Sequence, residues 1–510
     1  MIGARTFRQA GRRGSLGVSV RASLHALGRI LEIVSLTLIV PSLVAAGYLE
    51  SPLPFLVPLA IGLAVGFLLD FTNRRRGRLG TREIFLVIVL VWLAAALLGS
   101  GPYLIAHHGL HHWTDAFTES MAGVTTTNIS VVADPSRLPH SLLFWRQFSQ
   151  WLGGLGVIVL VLALLSRLRV GGREPTVTEQ PGREIEWLSR NVQVVVRRFG
   201  LFYLGLTVVL ALTLIGLDLS DVDDRLNVFN SIGIALSTVS TGGFSPHAGS
   251  LAAFAIATRW VVFAFMLLAG ANILLVFRAL VRGEVRPLLR DGETRLYAAI
   301  AVLGAGGIAA ALAAKSVVRN GRAVREGFFQ SISFLTTTGF TSTDITGWPI
   351  AATAILVGLA LIGGCASSLA GSQKILRVQI VGKILHRELV QSVHPETILH
   401  VRTNRRLVDE RAIRGVTAFV LLFFGLLALG VLALELDATR MSYNLNVFHA
   451  LADTTAALSN GGPGLGFAGP AGSFAPFSDV SKLVLSALML LGRLEIIPVA
   501  VLFTRSYWRP

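Results

Sequence analysis

Thr125-Thr126-Thr127-Asn128 is a short polar phrase between two long apolar segments, and the chain repeats it three more times. The other copies are Ser240-Thr241-Gly242-Gly243, Thr336-Thr337-Thr338-Gly339 and Ser459-Asn460-Gly461-Gly462. A run of small hydroxyl or amide residues ending in glycine lets an extended backbone turn its carbonyls toward one axis. Four such strands around an axis can replace the water shell of a dehydrated monovalent cation. One copy alone would read as an ordinary turn or helix cap. Four copies at matching places, roughly 100–120 residues apart, read as an internal repeat with a pore on its axis.

The rest of the chain suits that reading. Of its 510 residues, 53% are hydrophobic and only 15% charged, and the mean hydropathy is +0.66. Length alone suggests about three soluble domains, but the uninterrupted apolar runs demand lipid. A bilayer core of about 30 Å needs roughly 20 apolar residues per helical crossing. Ten segments meet that demand, near 27–48, 54–71, 83–105, 141–166, 198–218, 259–280, 294–314, 350–372, 412–435 and 481–504. The 52 glycines fit helices whose backbones approach closely in lipid.

The net charge of +16 is distributed by position. Basic residues gather in alternate connections: Arg5 to Arg13, Arg74 to Arg78, Arg167 to Arg173, Arg278 to Arg290, and Lys374 to Arg406. The positive-inside rule makes that side cytoplasmic, so both termini are expected inside a plasma membrane and all four phrases open outward. A nucleic-acid partner is excluded, because no basic and aromatic residues interleave on a soluble domain. Lys315, Arg319, Arg322 and Arg325 fall on the outer side and read only as a solvated loop. Cys365 is the single cysteine, so no internal disulfide is possible; a small buried thiol is expected. The basic N-terminus lacks a small-residue cleavage site, and 27–48 is read as a retained helix.

Residues 1–72 form an N-terminal tail and an accessory two-helix hairpin without a phrase. Four units follow over 80–170, 195–282, 293–385 and 411–510, each an apolar helix, a short half-helix, the phrase and a second apolar helix. The half-helices span Trp113 to Met121, Asn227 to Leu236, Arg325 to Phe334 and Asn446 to Ala456. Each is too short to cross and should enter and return. Irregular backbone at membrane depth is tolerated only inside protein or along a watery cavity, which assigns the phrases to the pore axis. The cytoplasmic connections 167–197 and 373–411 are too short and polar for folded domains and suit docking of a soluble partner.

Six segments carry a family resemblance: Glu119 to Thr127, Gln150 to Gly156, Ser237 to Ser245, Gly363 to Ala366, Gly462 to Gly466 and Leu491 to Glu495. In this order the chain resembles the Trk-type potassium-uptake membrane subunits of the Trk/Ktr/HKT cation transporter superfamily, from about residue 27 onward. The resemblance implies an all-α integral membrane fold: four pseudo-repeated helix–pore loop–helix units around one pore, beside the accessory hairpin. It implies channel-like K+ uptake with K+ bound at a filter of carbonyls from Thr126, Thr127, Thr241, Gly242, Thr337, Thr338, Asn460 and Gly461. The turn residues would be Asn128, Gly243, Gly339 and Gly462; glycine suits a positive φ there. Asn128 departs from the family's glycine, although asparagine tolerates that conformation better than other side chains. A serine at the matching position in plant relatives goes with sodium transport, so weaker K+/Na+ discrimination is expected here.

The resemblance also implies a gate. Arg493 would project into the path below the filter as a barrier to cations; pairing with Glu495 or snorkelling is the alternative. The stretch Gly363 to Lys374, with Gly363, Gly364, Ser367, Ser368 and Gly371, would form an intramembrane loop that hinders ion flow until it moves. Close helix packing through small residues is the alternative there. Leu369 and Ser372 stand where relatives carry smaller residues, which suggests a stiffer loop. The family further implies a homodimer in membrane lipid and a cytoplasmic nucleotide-binding regulatory ring. No nucleotide is expected on this chain.

Weaker signals admit two readings each. His107, His108, His111 and His112 could bind a divalent metal or form an exposed polar loop. Asp115 and Glu119, like Asp221, Asp223 and Asp224, could concentrate cations or favour a half-helix N-terminus. The run Gly304-Ala305-Gly306-Gly307 follows no strand, so a nucleotide fingerprint is rejected. Two rivals to the pore are open to the same sequence. A proton- or sodium-coupled symporter would need a midplane ionisable group, for which Arg493 and Glu495 are the candidates. A membrane enzyme or scaffold would tolerate changes in the phrases, and no catalytic constellation supports an enzyme.

Overall fold

The apolar runs fold as helices because lipid offers their backbone N–H and C=O groups no partners. The computed structural model describes residues 18–73, 80–106, 110, 112–167, 192–404 and 406–509. The accessory hairpin comprises α1 (Val20–Leu36), α2 (Ile39–Gly47) and α3 (Leu53–Thr72). It closes at a glycine crossing: a Cβ on Gly28 would lie 2.6 Å from Gly66 O.

Unit one contains α4 (Thr81–Ala106), the half-helix α5 (Trp113–Val124) and α6 (His140–Arg167). Unit two contains α7 (Val192–Leu219), the half-helix α8 (Val228–Val239), α9 (Ile256–Gly270) and α10 (Ile273–Arg282). The short α11 (Val285–Arg290) leads to unit three: α12 (Gly292–Ala314), the half-helix α13 (Asn320–Leu335), α14 (Ile350–Ile362) and α15 (Ile375–Val393). A two-residue antiparallel ladder, Arg402–Thr403 with Arg406–Leu407, precedes unit four. That unit contains α16 (Glu410–Met441), the half-helix α17 (Val447–Leu458), α18 (Asp479–Arg493), α19 (Ile497–Leu502) and α20 (Arg505–Trp508).

Among the described residues, six spans are long and apolar enough to cross a membrane, and a bent pair makes a seventh. Four of the ten predicted crossings are not single helices, the first because 27–48 spans the join between α1 and α2. The segment 259–280 bends by 116° between α9 and α10. The segment 350–372 stops at Gly363, whose φ of +77° ends α14. The segment 481–504 breaks at Glu495 and Ile496, both with positive φ. Hydropathy could not register these interruptions, since Ala271, Ile496 and Gly363 are as apolar as the helices they end. The run from Gly304 to Gly307 lies inside α12, where Gly327 of α13 comes close to Ala305 O.

Two apolar clusters hold the molecule together. One joins the hairpin with units one and four through Trp92, Trp145, Phe423 and Phe474. The other joins units two and three through Tyr203, Phe254, Tyr297 and Phe340. The four phrases lie between them.

Candidate pore and filter

Each half-helix ends in the same way. In α5 the N–H of Thr127 bonds Ala122 O at 2.8 Å and that of Thr126 bonds Gly123 O at 3.0 Å. The same pair of bonds recurs from Gly242 and Thr241, from Thr338 and Thr337, and from Gly461 and Asn460. This is the Schellman pattern, which places one residue in the left-handed region just past the helix. Glycine normally fills that position. Here it is Thr126, Thr241, Thr337 and Asn460, with φ of +52°, +54°, +55° and +50°. A β-branched residue at positive φ is a genuine outlier. Such strain costs about 1–3 kcal/mol per residue and persists only where surroundings impose it. Fourfold repetition makes it a property of the site.

The strained residues carry carbonyls with no other duty. Thr126, Thr241, Thr337 and Asn460 are at most 1% exposed, and their carbonyls accept no hydrogen bond among the described residues. Buried carbonyls are paired in the great majority of cases, so four orphans at one equivalent position mark a place for a ligand. The carbonyls one residue further on differ. Gly461 O accepts from Asn128 N at 3.0 Å. Gln150 Nε2 donates to Gly242 O at 2.8 Å and to Thr127 O at 3.4 Å. A Cβ on Gly243 would collide with Thr338 O at 1.8 Å. Gly461 O thus joins two strands and Gln150 bridges Thr127 O to Gly242 O, while Thr338 O packs against Gly243 without a hydrogen bond among the described residues.

The joins run in a closed circuit. Unit one touches unit four through Asn128 and Gly461, and unit four touches unit three where Gly462 O approaches Gly339. Unit three meets unit two at Thr338 and Gly243, and Gln150 bridges units two and one. The four phrases thus converge on one axis. All four half-helices point their C-termini at it, and a helix C-terminus carries partial negative charge that favours a cation.

That observation agrees with comparisons to known proteins. A family model described as "TrkH: Cation transport protein" matches residues 55–300 and 309–509. The chain belongs to the TrkH family. The Trk system potassium uptake protein TrkH of Escherichia coli strain K12 is 33% identical over 496 residues, covering 96% of this chain and 99% of that protein. The Trk system potassium uptake protein TrkG of the same strain is 31% identical over 501 residues. The crystal structure of the potassium transporter TrkH from Vibrio parahaemolyticus superposes with a TM-score of 0.83 at 31% identity, covering 96% of this chain and all of that one. This TrkH-family chain is a multi-pass membrane protein, and the named relatives are transporters, not enzymes.

The sequence reading missed how a TrkH-family strand is held beyond its turn. Nine residues before each outer turn residue stands Glu119, Gln330 or Asp453; three residues after it stands Val131, Ser342 or Leu465. Glu119 accepts from Val131 N at 2.8 Å and Asp453 from Leu465 N at 3.0 Å, while Gln330 Nε2 donates to Ser342 Oγ at 3.4 Å. In unit two the equivalent residues are Ile234 and Pro246, and proline has no N–H to hold. The equal offsets were visible in the sequence once the phrases were aligned. Glu119 also takes Arg146 Nε at 2.7 Å, with the guanidinium 4.3 Å from the Phe244 ring centre. It is therefore a structural anchor, not a free charge at the mouth. Asp115 is paired with Lys482 at 2.6 Å, and Asp223 holds Ala255 N and Thr258 Oγ1. Both carboxylates are thus engaged within the protein.

One expectation needs correction, and one alternative falls away. Gly243, Gly339 and Gly462 have φ of +81°, +79° and +150°, but Asn128 is not among the positive-φ residues. Its strand follows a different course, so asparagine's tolerance of the left-handed region is not used. Arg493 does not pair with Glu495. Its Nη1 donates to Leu369 O at 3.0 Å, and its Nε and Nη2 are buried without a partner among the described residues. Glu495 instead holds Lys374 at 3.4 Å and Arg377 at 2.5 Å.

The loop from Gly363 to Lys374 packs against the phrases of units three and four. Gly371 N donates to Thr337 Oγ1 at 2.9 Å. Cys365 N bonds Gly270 O at the bend of unit two, and Ala366 N bonds Glu293 Oε1 on α12. Ser368 Oγ and Ser372 Oγ close the loop on itself through Cys365 O and Leu361 O. Gly364 approaches Gly270 O and Ser367 O accepts from Ile273 N, which ties the loop to the bend of unit two. Cys365 is buried, as expected. His107, His108 and His111 lie outside the described residues, and among the described residues no group of three metal-ligating side chains occurs.

Proposed function

We propose that this chain takes up K+ across the bacterial inner membrane through a channel-like pore on the axis of the four phrases. The carrying observation is the ring of four orphan carbonyls on Thr126, Thr241, Thr337 and Asn460. Such a ring replaces a cation's water shell at no hydrogen-bonding cost to the protein. The second lone pairs of Thr127, Gly242, Thr338 and Gly461 extend the same path outward. K+ is the natural cargo, since the named relatives are potassium transporters.

Closure rests on the loop from Gly363 to Lys374 and on Arg493 beneath it, a fixed positive charge in a low-dielectric path. With both termini inside, the chain works as a homodimer and receives regulation from a nucleotide-binding cytoplasmic ring docked on its basic connections. The units bounded at 80–170, 195–282, 293–385 and 411–510 are the pseudo-repeats. The test is cation flux in proteoliposomes with K+, Rb+ and Na+, with the reversal potential followed against an imposed proton gradient. Flux that reverses with the cation gradient alone supports a pore. Reversal that moves with the proton gradient shows a coupled symporter instead.

A further inference from the structure

Asn128 lines an outer cavity of about 50 Å3 together with Arg146 and His247. Its Nδ2 donates to Gly339 O at 2.8 Å. In the circuit of strands unit one neighbours units two and four, so Gly339 belongs to the strand facing it across the axis. The same side chain reaches the other two turns. A Cβ built on Gly243 would lie 3.0 Å from Asn128 Cβ, and one on Gly462 would lie 2.8 Å from it. A single side chain can meet all three partner turns only from the middle of the ring.

The chemistry of the contact is fixed by its length. Two oxygens at that distance repel, so the amide nitrogen faces the carbonyl. An N–H offers a carbonyl what a cation offers, partial positive charge, and leaves no room for an ion between them. We propose, resting on the pore reading above, that Asn128 is a tethered amide occupying the outermost cation position of the filter, and that each arriving ion displaces it. The half-buried side chain has the outer cavity to swing into, and its own carbonyl oxygen then faces the ion.

A neutral hydrogen bond of this kind shifts an equilibrium roughly two- to tenfold. The test is uptake of radioactive Rb+ into proteoliposomes over a range of external Rb+, for the wild type, Asn128→Gly and Asn128→Ser. Serine keeps a polar side chain at this strand but cannot span the ring, so it guards against a glycine variant that folds poorly. The half-saturating Rb+ concentration should fall by about two- to tenfold in both variants. An unchanged half-saturation in both overturns the proposal while leaving the pore intact. Absence of Rb+ uptake in all three would remove the pore reading, and this proposal with it.

Discussion

The backbone N–H of Gly371 donates to the side-chain oxygen of Thr337 across 2.9 Å, so the loop below the filter is fastened to the filter itself. Thr337 is one of the four strained residues, and its hydroxyl faces away from the carbonyl ring toward the loop. Thr337→Val keeps the shape and removes the acceptor. Basal Rb+ flux should rise about fivefold, the worth of one neutral hydrogen bond. Unchanged flux in reconstituted protein would mean that this bond restrains nothing.

Arg493 makes the second fastening, through Leu369 O. In the proposed pore its charge would also oppose cations in the path. Arg493→Gln loses the charge, whereas Arg493→Lys keeps it on a side chain that cannot form the same fork. Flux should increase strongly for glutamine and only slightly for lysine, measured as Rb+ uptake at equal protein in the bilayer. Equal effects would assign Arg493 to packing alone.

Two glycines should answer substitution in opposite ways. Alanine at Gly243 would place its Cβ 1.8 Å from Thr338 O at a φ of +81°, forcing two filter strands apart. Alanine at Gly371 would lie 2.1 Å from Ser459 O and push the loop off the filter. Gly243→Ala should lose most K+ uptake, and Gly371→Ala should gain basal flux. Complementation of a K+-uptake-deficient strain, with membrane levels checked, separates the two. The same sign for both would contradict the division between filter and gate.

His247 lines the outer cavity with its Nε2 buried and unpaired. Burial, with Arg225 beside it, holds the imidazole below its ordinary 6.5, and Asp134 offsets this in part. The neutral form is therefore native at pH 7. Its contribution to stability is full above the unfolded value and is lost as pH falls through the folded one. Protonation would also add positive charge at the mouth and lower the local cation concentration. Uptake should decline as external pH falls below the ordinary imidazole range, and His247→Gln should flatten that decline. An identical pH profile in the variant would remove His247 from the cause.

Much of this was legible in the chain. The four phrases, the half-helices and the apolar spans follow from periodicity and length, and the half-helix from Trp113 extends only three residues past its expected end at Met121. The interruptions after Gly270 and Arg493 were not legible, because a hydropathy window averages over a two- or three-residue break, whereas the one after Ile362 was announced by the glycines and serines from Gly363 to Lys374. The left-handed threonines were hidden for a related reason. Local propensity forbids them, and only the tertiary ring imposes them. Asn128 was legible as a departure from glycine but not as a bridge, since its partner Gly339 is 211 residues away.

The most direct test is anomalous scattering from crystals grown in Rb+. A peak on the axis, encircled by the carbonyls of Thr126, Thr241, Thr337 and Asn460, is the predicted result. Rb+ bound elsewhere, with those four oxygens turned away from it, would contradict the account at its centre.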